Sequence, residues 1–206
     1  MSVLQIPKTA PFGDEEIDLL NRVVGPASET QRAWLAGFLA GVEASTGNAV
    51  QPAAPPVAAE PLTIVYATES GNSERLASDL AKSARKNGLK PNVVDLADLD
   101  LGSLAKTKRL VVIAATWGEG EPPSRVSAKY NELMKSDFGR LDGVEFGVLA
   151  LGDTAYVEFC AIGRQIDERL AALGGKRLVD RIDCDLDFEA PAADWIGRAV
   201  KALAPP

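Results

Sequence analysis

Apolar residues follow two different patterns along most of this chain. Short runs with β-branched residues, such as 62–67 and 109–115, have the length and composition of buried strands. Between such runs, apolar residues recur every three or four positions, as Leu76, Leu80 and Ala84 do, which is typical of amphipathic helices. We predict strands near 62–67, 90–94, 109–115, 144–151 and 177–182, and helices near 72–86, 124–136, 159–173 and 190–203.

The alternation of strands and helices from residue 62 onward predicts an α/β fold. Five strands that alternate with helices indicate a parallel sheet with helices on both faces. Sheets of this kind bind ligands beyond the carboxyl ends of their strands, where the strand order reverses. The loops after the first, third and fourth strands are therefore the places to look for a site.

The N-terminal part of the chain has a helical pattern of its own. A first helix is predicted at 14–24, and the spacing of Ser28 and Gln31 is that of a capping box at the start of a second. A helical hairpin of this size cannot bury its own apolar stripe. Two alternatives stay open: the hairpin packs on the main domain, or it packs on another chain.

An Ala/Pro-rich segment with almost no charge separates the hairpin from the main domain, which is typical of a semi-extended linker. We therefore divide the chain into an N-terminal arm with a helical hairpin for assembly at 1–46, a linker at 47–61, and a ligand-binding α/β domain at 62–206.

The loop after the first strand carries hydroxyl and amide side chains around a glycine. Thr68, Ser70, Asn72 and Ser73 surround Gly71, directly before a predicted helix. Backbone N–H groups and the positive end of a helix favour a phosphate. Because the loop has neither a Walker A lysine nor a dinucleotide fingerprint, a single phosphate monoester fits it better than a triphosphate with Mg²⁺. An ordinary capped turn is the alternative.

Two further loops carry aromatic residues and glycines. The segment 115–123 has two glycines and two prolines, with Trp117 between them, and 151–160 includes Gly152 and Tyr156. Trp117 either covers a flat ligand or folds back onto the sheet. Taken with the phosphate loop, these loops predict a site for a flat conjugated mononucleotide.

Composition excludes several other classes of function. The net charge of −7 and the pI of about 4.8 argue against nucleic acid as a partner. No apolar run approaches the roughly 20 residues that a membrane span needs, and no signal peptide is visible, so we expect a cytoplasmic protein. Histidine is absent, and Cys160 and Cys184 form no metal-ligand pattern. Any chemistry therefore belongs to a cofactor, and we predict no catalytic side chain and no metal.

Residues 62–200 resemble a flavodoxin-like FMN domain. The segments 115–123 (ATWGEGEPP) and 151–160 (LGDTAYVEFC) are similar to the FMN loops of diflavin reductases, above all those of the sulfite reductase flavoprotein (alpha component) family. The segment 173–183 and the hairpin are also similar to that family. The resemblance implies FMN as the cofactor and a doubly wound, five-stranded parallel sheet of order 2-1-3-4-5, preceded by an N-terminal helical hairpin on a Pro/Ala linker.

The resemblance also implies which residues hold FMN. The phosphate contacts would come from Thr68, Glu69 (through its backbone), Ser70, Gly71, Asn72 and Ser73. The isoalloxazine ring would contact two groups, namely Ala115, Thr116, Trp117, Gly118 and Gly120 on one side and Leu151, Gly152, Asp153, Tyr156, Phe159 and Cys160 on the other.

The function implied by the resemblance is electron transfer. Electrons would arrive from FAD and leave toward a sirohaem and iron–sulfur hemoprotein that reduces sulfite to sulfide. FAD and NADPH would bind to a missing or separate reductase domain, and the N-terminal helices would serve a homo-oligomer. Two alternatives stay open: a stand-alone flavodoxin-like carrier, and a flavin-free assembly module that keeps the fold.

Acidic residues are frequent on or near the expected ligand face. They form either a docking surface for a basic partner or ordinary solvated loop charge. The residues concerned are Glu119, Glu121, Glu158, Asp183, Asp185, Asp187 and Glu189. We expect Cys160 and Cys184 to be free thiols, with a disulfide between them as the alternative.

Overall fold

The computed structural model describes residues 12–43, 59–135 and 137–204. The chain divides into two compact units, 1–56 and 57–206, which we describe separately. Among the described residues, no helix is long and apolar enough to cross a bilayer. The predicted linker at 47–61 lies almost wholly outside these residues.

The first unit contains helix α1 (Asp14–Val24) and helix α2 (Glu29–Glu43). The predicted capping box is confirmed: Ser28 N donates to Gln31 Oε1 at 2.8 Å, and Gln31 N donates to Ser28 Oγ at 3.3 Å. On α2, the rings of Trp34 and Phe38 stack 5.4 Å apart, and both remain exposed. The apolar stripe that the sequence predicts is therefore present on α2.

The second unit is an α/β domain whose elements follow the predicted alternation. Its strands are β1 (Glu60–Ala67), β2 (Leu89–Asp95), β3 (Arg109–Ala115), β4 (Glu145–Leu151), β5 (Lys176–Arg177) and β6 (Ile182–Cys184). Its α-helices are α3 (Asn72–Lys86), α4 (Ser127–Met134), α5 (Ala161–Ala172) and α6 (Glu189–Leu203). Short 3₁₀ helices lie at Leu96–Asp98, Leu101–Lys106 and Ser124–Val126.

The strands form one parallel sheet in the order β2-β1-β3-β4-β5, with β6 also paired to β4. This confirms the predicted order. Ala67 pairs with Ala114, Ala115 pairs with Leu151, and Leu151 pairs with Cys184. The carboxyl ends of β1, β3, β4 and β6 therefore lie side by side, and the loops that follow them share one edge of the sheet.

The prediction of a continuous fifth strand at 177–182 was wrong. Two short strands, β5 and β6, pair with β4 on either side of a gap. Within the gap, the Asp180 carbonyl accepts a hydrogen bond from Trp195 Nε1 at 2.7 Å, and Arg181 binds Asp167. The Trp195 side chain thus satisfies the Asp180 carbonyl in place of a ladder hydrogen bond, and sequence periodicity does not reveal such a partner.

Both faces of the sheet are buried in apolar clusters. One cluster joins α3 and α6 to the sheet and contains the fully buried Trp195. The other joins α4 and α5 to the opposite face and contains Phe146 and Ile162. Since β3 lies between these two layers, its run from Arg109 to Ala114 is buried throughout, as its uninterrupted apolar pattern predicts.

Candidate functional site

A cavity of about 370 Å³ opens at the carboxyl ends of β1, β3, β4 and β6. This volume is within the range of roughly 300–1,000 Å³ that small-molecule sites occupy. The residues that line it are Glu69, Ser70, Asn72, Ala115, Thr116, Trp117, Gly118, Leu151, Gly152, Asp153, Tyr156, Glu158, Asp185, Leu186 and Phe188. The three loops predicted from the sequence therefore meet at one place.

The loop between β1 and α3 has the conformation of an anion cradle. Gly71 is the N-cap of α3 and adopts a left-handed backbone with φ +87°, which favours glycine. Gly71 N donates to Thr68 Oγ1 at 2.9 Å, and this bond closes the turn. Ser70 and Asn72 lie on the cavity side of the loop, whereas Thr68 and Gly71 line a neighbouring cleft with Arg125.

Ser73, at the second position of α3, contributes a polar group that the described residues leave unsatisfied. Its side chain is fully buried, and its Oγ has no hydrogen-bond partner among them. A buried hydroxyl of this kind costs about 1–3 kcal/mol unless it is satisfied. Its place at a helix N-terminus fits an anion held against this loop.

Glu69 has a role that sequence reasoning missed. Its Oε2 accepts a hydrogen bond from Ser124 N at 2.9 Å, at the start of the 3₁₀ helix that follows the Trp117 loop. The side chain thus ties the first loop to the second. This leaves the backbone of Glu69 for a ligand, which agrees with the predicted role of that backbone.

The Trp117 loop is a tight turn between β3 and that 3₁₀ helix. Trp117 N donates to Glu121 O, and Glu121 N donates to Trp117 O, both at 2.8 Å. Gly118 and Gly120 lie between them at φ +53° and +120°. Trp117 itself is 53% exposed at the rim of the cavity, so it is not part of the core.

The third loop brings its backbone close to the cavity through Gly152. A Cβ on Gly152 would lie 2.7 Å from Cys160 N, so that only glycine fits. Gly152 N donates to Cys184 O at 3.0 Å. Asp153 turns the chain by accepting hydrogen bonds from Ala155 N (2.8 Å, to Oδ1) and Tyr156 N (3.1 Å, to its carbonyl oxygen). Tyr156 is thereby held at the mouth, 45% exposed.

Three of the predicted ring contacts do not line the cavity. Phe159 and Cys160 do not line the cavity and instead pack against Gly152. Gly120 is also away from the lining, against the side chain of Glu158. For these residues the structure supports a role in shaping the third loop, and their direct contact with a ligand remains a prediction.

The two cysteines are buried free thiols, as expected. Cys160 Sγ lies 3.6 Å from Cys184 O. Burial raises the pKa of Cys160 to about 12 and that of Cys184 to about 11. Since the thiolate is the reactive form, neither residue is suited to act as a nucleophile at neutral pH.

A fourth segment at the cavity was not among the predicted contacts. Asp185, Leu186 and Phe188 follow β6 and line the cavity, and Glu158 adds a further acidic group. The sequence pattern places Asp185 and Glu158 on or near the ligand face without assigning them a contact. The predicted fifth strand ends at 182, whereas β6 continues to Cys184, so Asp185 is the first residue of the loop at the carboxyl end of this strand.

Comparison with known proteins identifies the family. The chain matches the flavodoxin family model over residues 64–195. It belongs to the flavodoxin family. Membership in this family supports FMN as the cofactor, and the protein is a flavoprotein of electron transfer. The chemistry of the cavity fits FMN, because hydroxyl and amide donors lie at its α3 end and Trp117 and Tyr156 lie at its rim.

Among solved structures, a flavodoxin from Streptococcus pneumonia TIGR4 superposes with a TM-score of 0.63 at 27% identity, and covers 69% of this chain and 97% of its own. A short-chain flavodoxin associated with a PDU bacterial microcompartment gives a TM-score of 0.63 at 25% identity, with 70% of this chain and 96% of its own covered. Both flavodoxins thus match only about two thirds of this chain.

Curated relatives match nearly the whole chain. The sulfite reductase [NADPH] flavoprotein alpha-component of Bacillus subtilis is 36% identical over 94% of this chain and 33% of its own length. That of Klebsiella pneumoniae is 37% identical over 94% of this chain and 32% of its own. The chain spans about a third of the length of these relatives, and the similarity supports its assignment as a component of an oxidoreductase.

Proposed function

We propose that this chain is the FMN-binding electron-transfer domain of an NADPH–sulfite reductase flavoprotein. It takes electrons from FAD on a reductase domain and passes them to a sirohaem and iron–sulfur hemoprotein that reduces sulfite to sulfide. One observation carries the proposal: similarity to sulfite reductase flavoproteins covers 94–97% of the chain, whereas flavodoxin structures cover 69–70%. The N-terminal helices therefore belong to the part that resembles sulfite reductase.

The cofactor-binding residues have distinct roles in this proposal. The hydroxyl, amide and backbone groups of 68–73 bind the phosphate at the N-terminus of α3, where the helix dipole favours an anion. Trp117 and Tyr156 cover the flavin ring, and Gly152 lets the backbone of the third loop approach it. FMN supplies the redox chemistry, and the protein sets its environment.

Exposed apolar side chains around the cavity support a protein as the electron acceptor. In the described part of 59–204, the large exposed apolar side chains are Trp117, Tyr156, Val157 and Leu186, and three of them line the cavity. Such a cluster is typical of an interaction site. Exposed acidic residues, among them Glu119 and Asp187, lie in the same loops, which favours a partner with a basic rim.

The N-terminal helices serve assembly in this proposal. Leu19, Val23, Trp34, Phe38 and Leu39 are exposed apolar residues on α1 and α2. We propose that further copies of the chain cover them in a homo-oligomer, since exposed apolar surface of this kind favours self-association. The division into a hairpin for assembly (1–46), a linker (47–61) and an FMN domain (62–206) belongs to the same proposal.

A stand-alone flavodoxin-like carrier is the second candidate function. The α/β domain accounts for 96–97% of the length of two solved flavodoxins, which shows that a domain of this size is sufficient for the flavodoxin fold. Such a carrier would serve several acceptors, and the N-terminal helices would have no part in its electron transfer.

Reconstitution distinguishes the two candidates. The purified chain should first show the visible spectrum of a flavin, and the released chromophore should be FMN. The reduced chain is then mixed with the sulfite reductase hemoprotein, and haem reduction and sulfide release are measured. We expect faster hemoprotein reduction than with a flavodoxin of the same potential. Equal rates would favour the general carrier, and a chain that takes up no FMN would contradict both.

A further inference from the structure

The segment after β6 is joined to the third loop through one carboxylate. Asp185 Oδ1 accepts a hydrogen bond from Thr154 N at 3.1 Å, and Oδ2 accepts another from Thr154 Oγ1. Oδ1 also accepts from Leu186 N at 2.8 Å, which fixes the carboxylate to its own segment. Asp185 therefore bridges two loops that both line the cavity.

The bridge joins two segments that each contribute residues to the cavity lining. On the Thr154 side it holds the turn that contains Gly152, Asp153 and Tyr156, and on the other side it holds the segment with Leu186 and Phe188. Among the described residues, Gly152 N and Cys160 Sγ also donate hydrogen bonds to Cys184 O, at the base of the loops. The Asp185 bonds lie farther along both loops and fix the spacing there.

An ionised carboxylate makes stronger hydrogen bonds at this position than a neutral group would. All three groups that face Asp185 are donors, so its two oxygens act purely as acceptors. These hydrogen bonds, those from Thr154 first, hold the pKa of Asp185 below its ordinary value. Asparagine has nearly the same shape, and its oxygen can still accept from both N–H groups, but it lacks the negative charge, and its NH₂ group would make Thr154 Oγ1 the acceptor of a weaker, neutral hydrogen bond. Asp185→Asn therefore tests the bridge with little change in volume.

We propose that Asp185 is a positioning residue for the flavin ring: its carboxylate holds the 152–156 turn and the 186–188 segment at a fixed separation where both line the cavity. The proposal rests on FMN as the cofactor and does not depend on which acceptor receives the electrons. From the sequence, Asp185 is either a docking acid or an ordinary solvated loop charge, whereas its hydrogen bonds favour a role inside the site.

The chain offers a matched control two residues away. Asp187 is exposed, and its side chain forms no hydrogen bond or ion pair with any described residue. Asp187→Asn removes the same charge from the same segment without breaking the bridge. A difference between the two variants therefore reports on the hydrogen bonds and not on net charge.

The test measures binding of FMN and of riboflavin, which lacks the phosphate, to the full chain stripped of flavin. We expect Asp185→Asn to weaken both ligands by a similar factor, on the order of tenfold, because the change acts on the ring and not on the phosphate. Asp187→Asn should bind both ligands as the wild type does. The midpoint potential of bound FMN should shift in Asp185→Asn alone, which a general loss of stability would not produce.

Thr154 provides a second test if Asp185→Asn folds poorly. Thr154→Ser keeps the hydroxyl that donates to Asp185 and should retain both affinities, whereas Thr154→Val removes it and should weaken both. The proposal is overturned if Asp185→Asn matches Asp187→Asn for both ligands, or if only FMN binding is weakened. A wild-type chain that binds neither ligand would instead refute the FMN assignment on which the proposed function rests.

Discussion

Backbone conformation at single residues gives the site its shape. Gly71 and Gly152 are the clearest cases: one needs a left-handed backbone at the start of α3, and the other has no room for a Cβ beside Cys160. Both effects act through the main chain. Substitution of either glycine should therefore change the conformation of its loop more than the structure of the sheet.

Replacement of Gly71 by valine should abolish FMN retention. A side chain at φ +87° costs about 1–2 kcal/mol, and relief of that strain would move the N–H groups that face the phosphate. Gly143→Val is a matched control, because Gly143 has the same φ of +87°, equally open surroundings and a position before β4, away from the cavity. FMN content and thermal stability are measured for both. Equal FMN content in the two variants would contradict the phosphate-loop assignment.

The buried thiols make stability depend on pH in the alkaline range. The folded-state pKa of Cys160, about 12, lies above the ordinary thiol value of 9.0, so its contribution is fully present below pH 9 and is lost as pH rises toward 12. The free energy of unfolding should fall by up to about 1.4 kcal/mol per pH unit for this group. Urea denaturation at pH 8–10.5 should give a shallower slope for Cys160→Ala. Parallel slopes would show that the thiol ionises freely in the fold.

At the scale of elements, the divided edge strand decides where the fourth wall of the cavity lies. Asp167 on α5 is 3% exposed, and its carboxylate accepts hydrogen bonds from Arg177 (Nε 2.9 Å, Nη2 2.7 Å) and Arg181 (Nη1 3.2 Å). Arg177 belongs to β5, and Arg181 immediately precedes β6. This ion-pair network thus connects α5 to both halves of the edge strand.

Asp167→Asn should destabilise the domain, because it leaves the partly buried guanidinium of Arg177 without its counter-charge and leaves Arg181 paired with Asp183 alone. We expect a loss of about 1–3 kcal/mol, since Arg177 and Arg181 keep some contact with solvent. Asp194→Asn is the control: its partner is the exposed Arg198 one turn away on α6, and such pairs contribute about 0–1 kcal/mol. Chemical denaturation measures both. A loss at Asp167 no larger than at Asp194 would show that the network does not stabilise the edge.

At the scale of the whole molecule, the chain combines two compact units with different surfaces. The α/β unit has its large exposed apolar residues around the cavity, and the helical unit has them along α1 and α2. The two kinds of contact that we propose, with an electron acceptor and with other copies, should therefore be separable by mutation.

Removal of residues 1–58 should leave FMN binding intact and change the oligomeric state. The remaining chain contains every residue of the cavity and of both core clusters. Sedimentation velocity and FMN titration are run on the full and shortened chains. If both sediment as the same monomer, the helices do not serve assembly.

Val157→Ser should slow electron delivery without loss of FMN. Val157 is 93% exposed beside Tyr156 and does not line the cavity, so its apolar surface is available to a partner rather than to the cofactor. Stopped-flow reduction of the hemoprotein measures the effect, with FMN content as the control. An unchanged rate would place the docking contact elsewhere.

Local pattern determined much of this protein. The length and buried character of β3, the apolar residues at every third or fourth position of α3, and the capping box at Ser28 all follow from residues close in sequence. Three of the four cavity loops were predicted because strands in a parallel sheet place their carboxyl ends at one edge. Glycines and hydroxyls at those ends were then sufficient to indicate a phosphate and a flat ring.

Only the tertiary structure decided the rest. The divided edge strand is bound by Asp167 and Trp195, which lie on the helices that precede and follow it, α5 and α6. The side-chain roles of Glu69 and Asp185 depend on partners 55 and 31 residues away. Sequence periodicity records which face of an element is apolar. It does not record which polar group from another element will satisfy a buried or strained backbone, and that pairing fixed the fourth wall of the cavity.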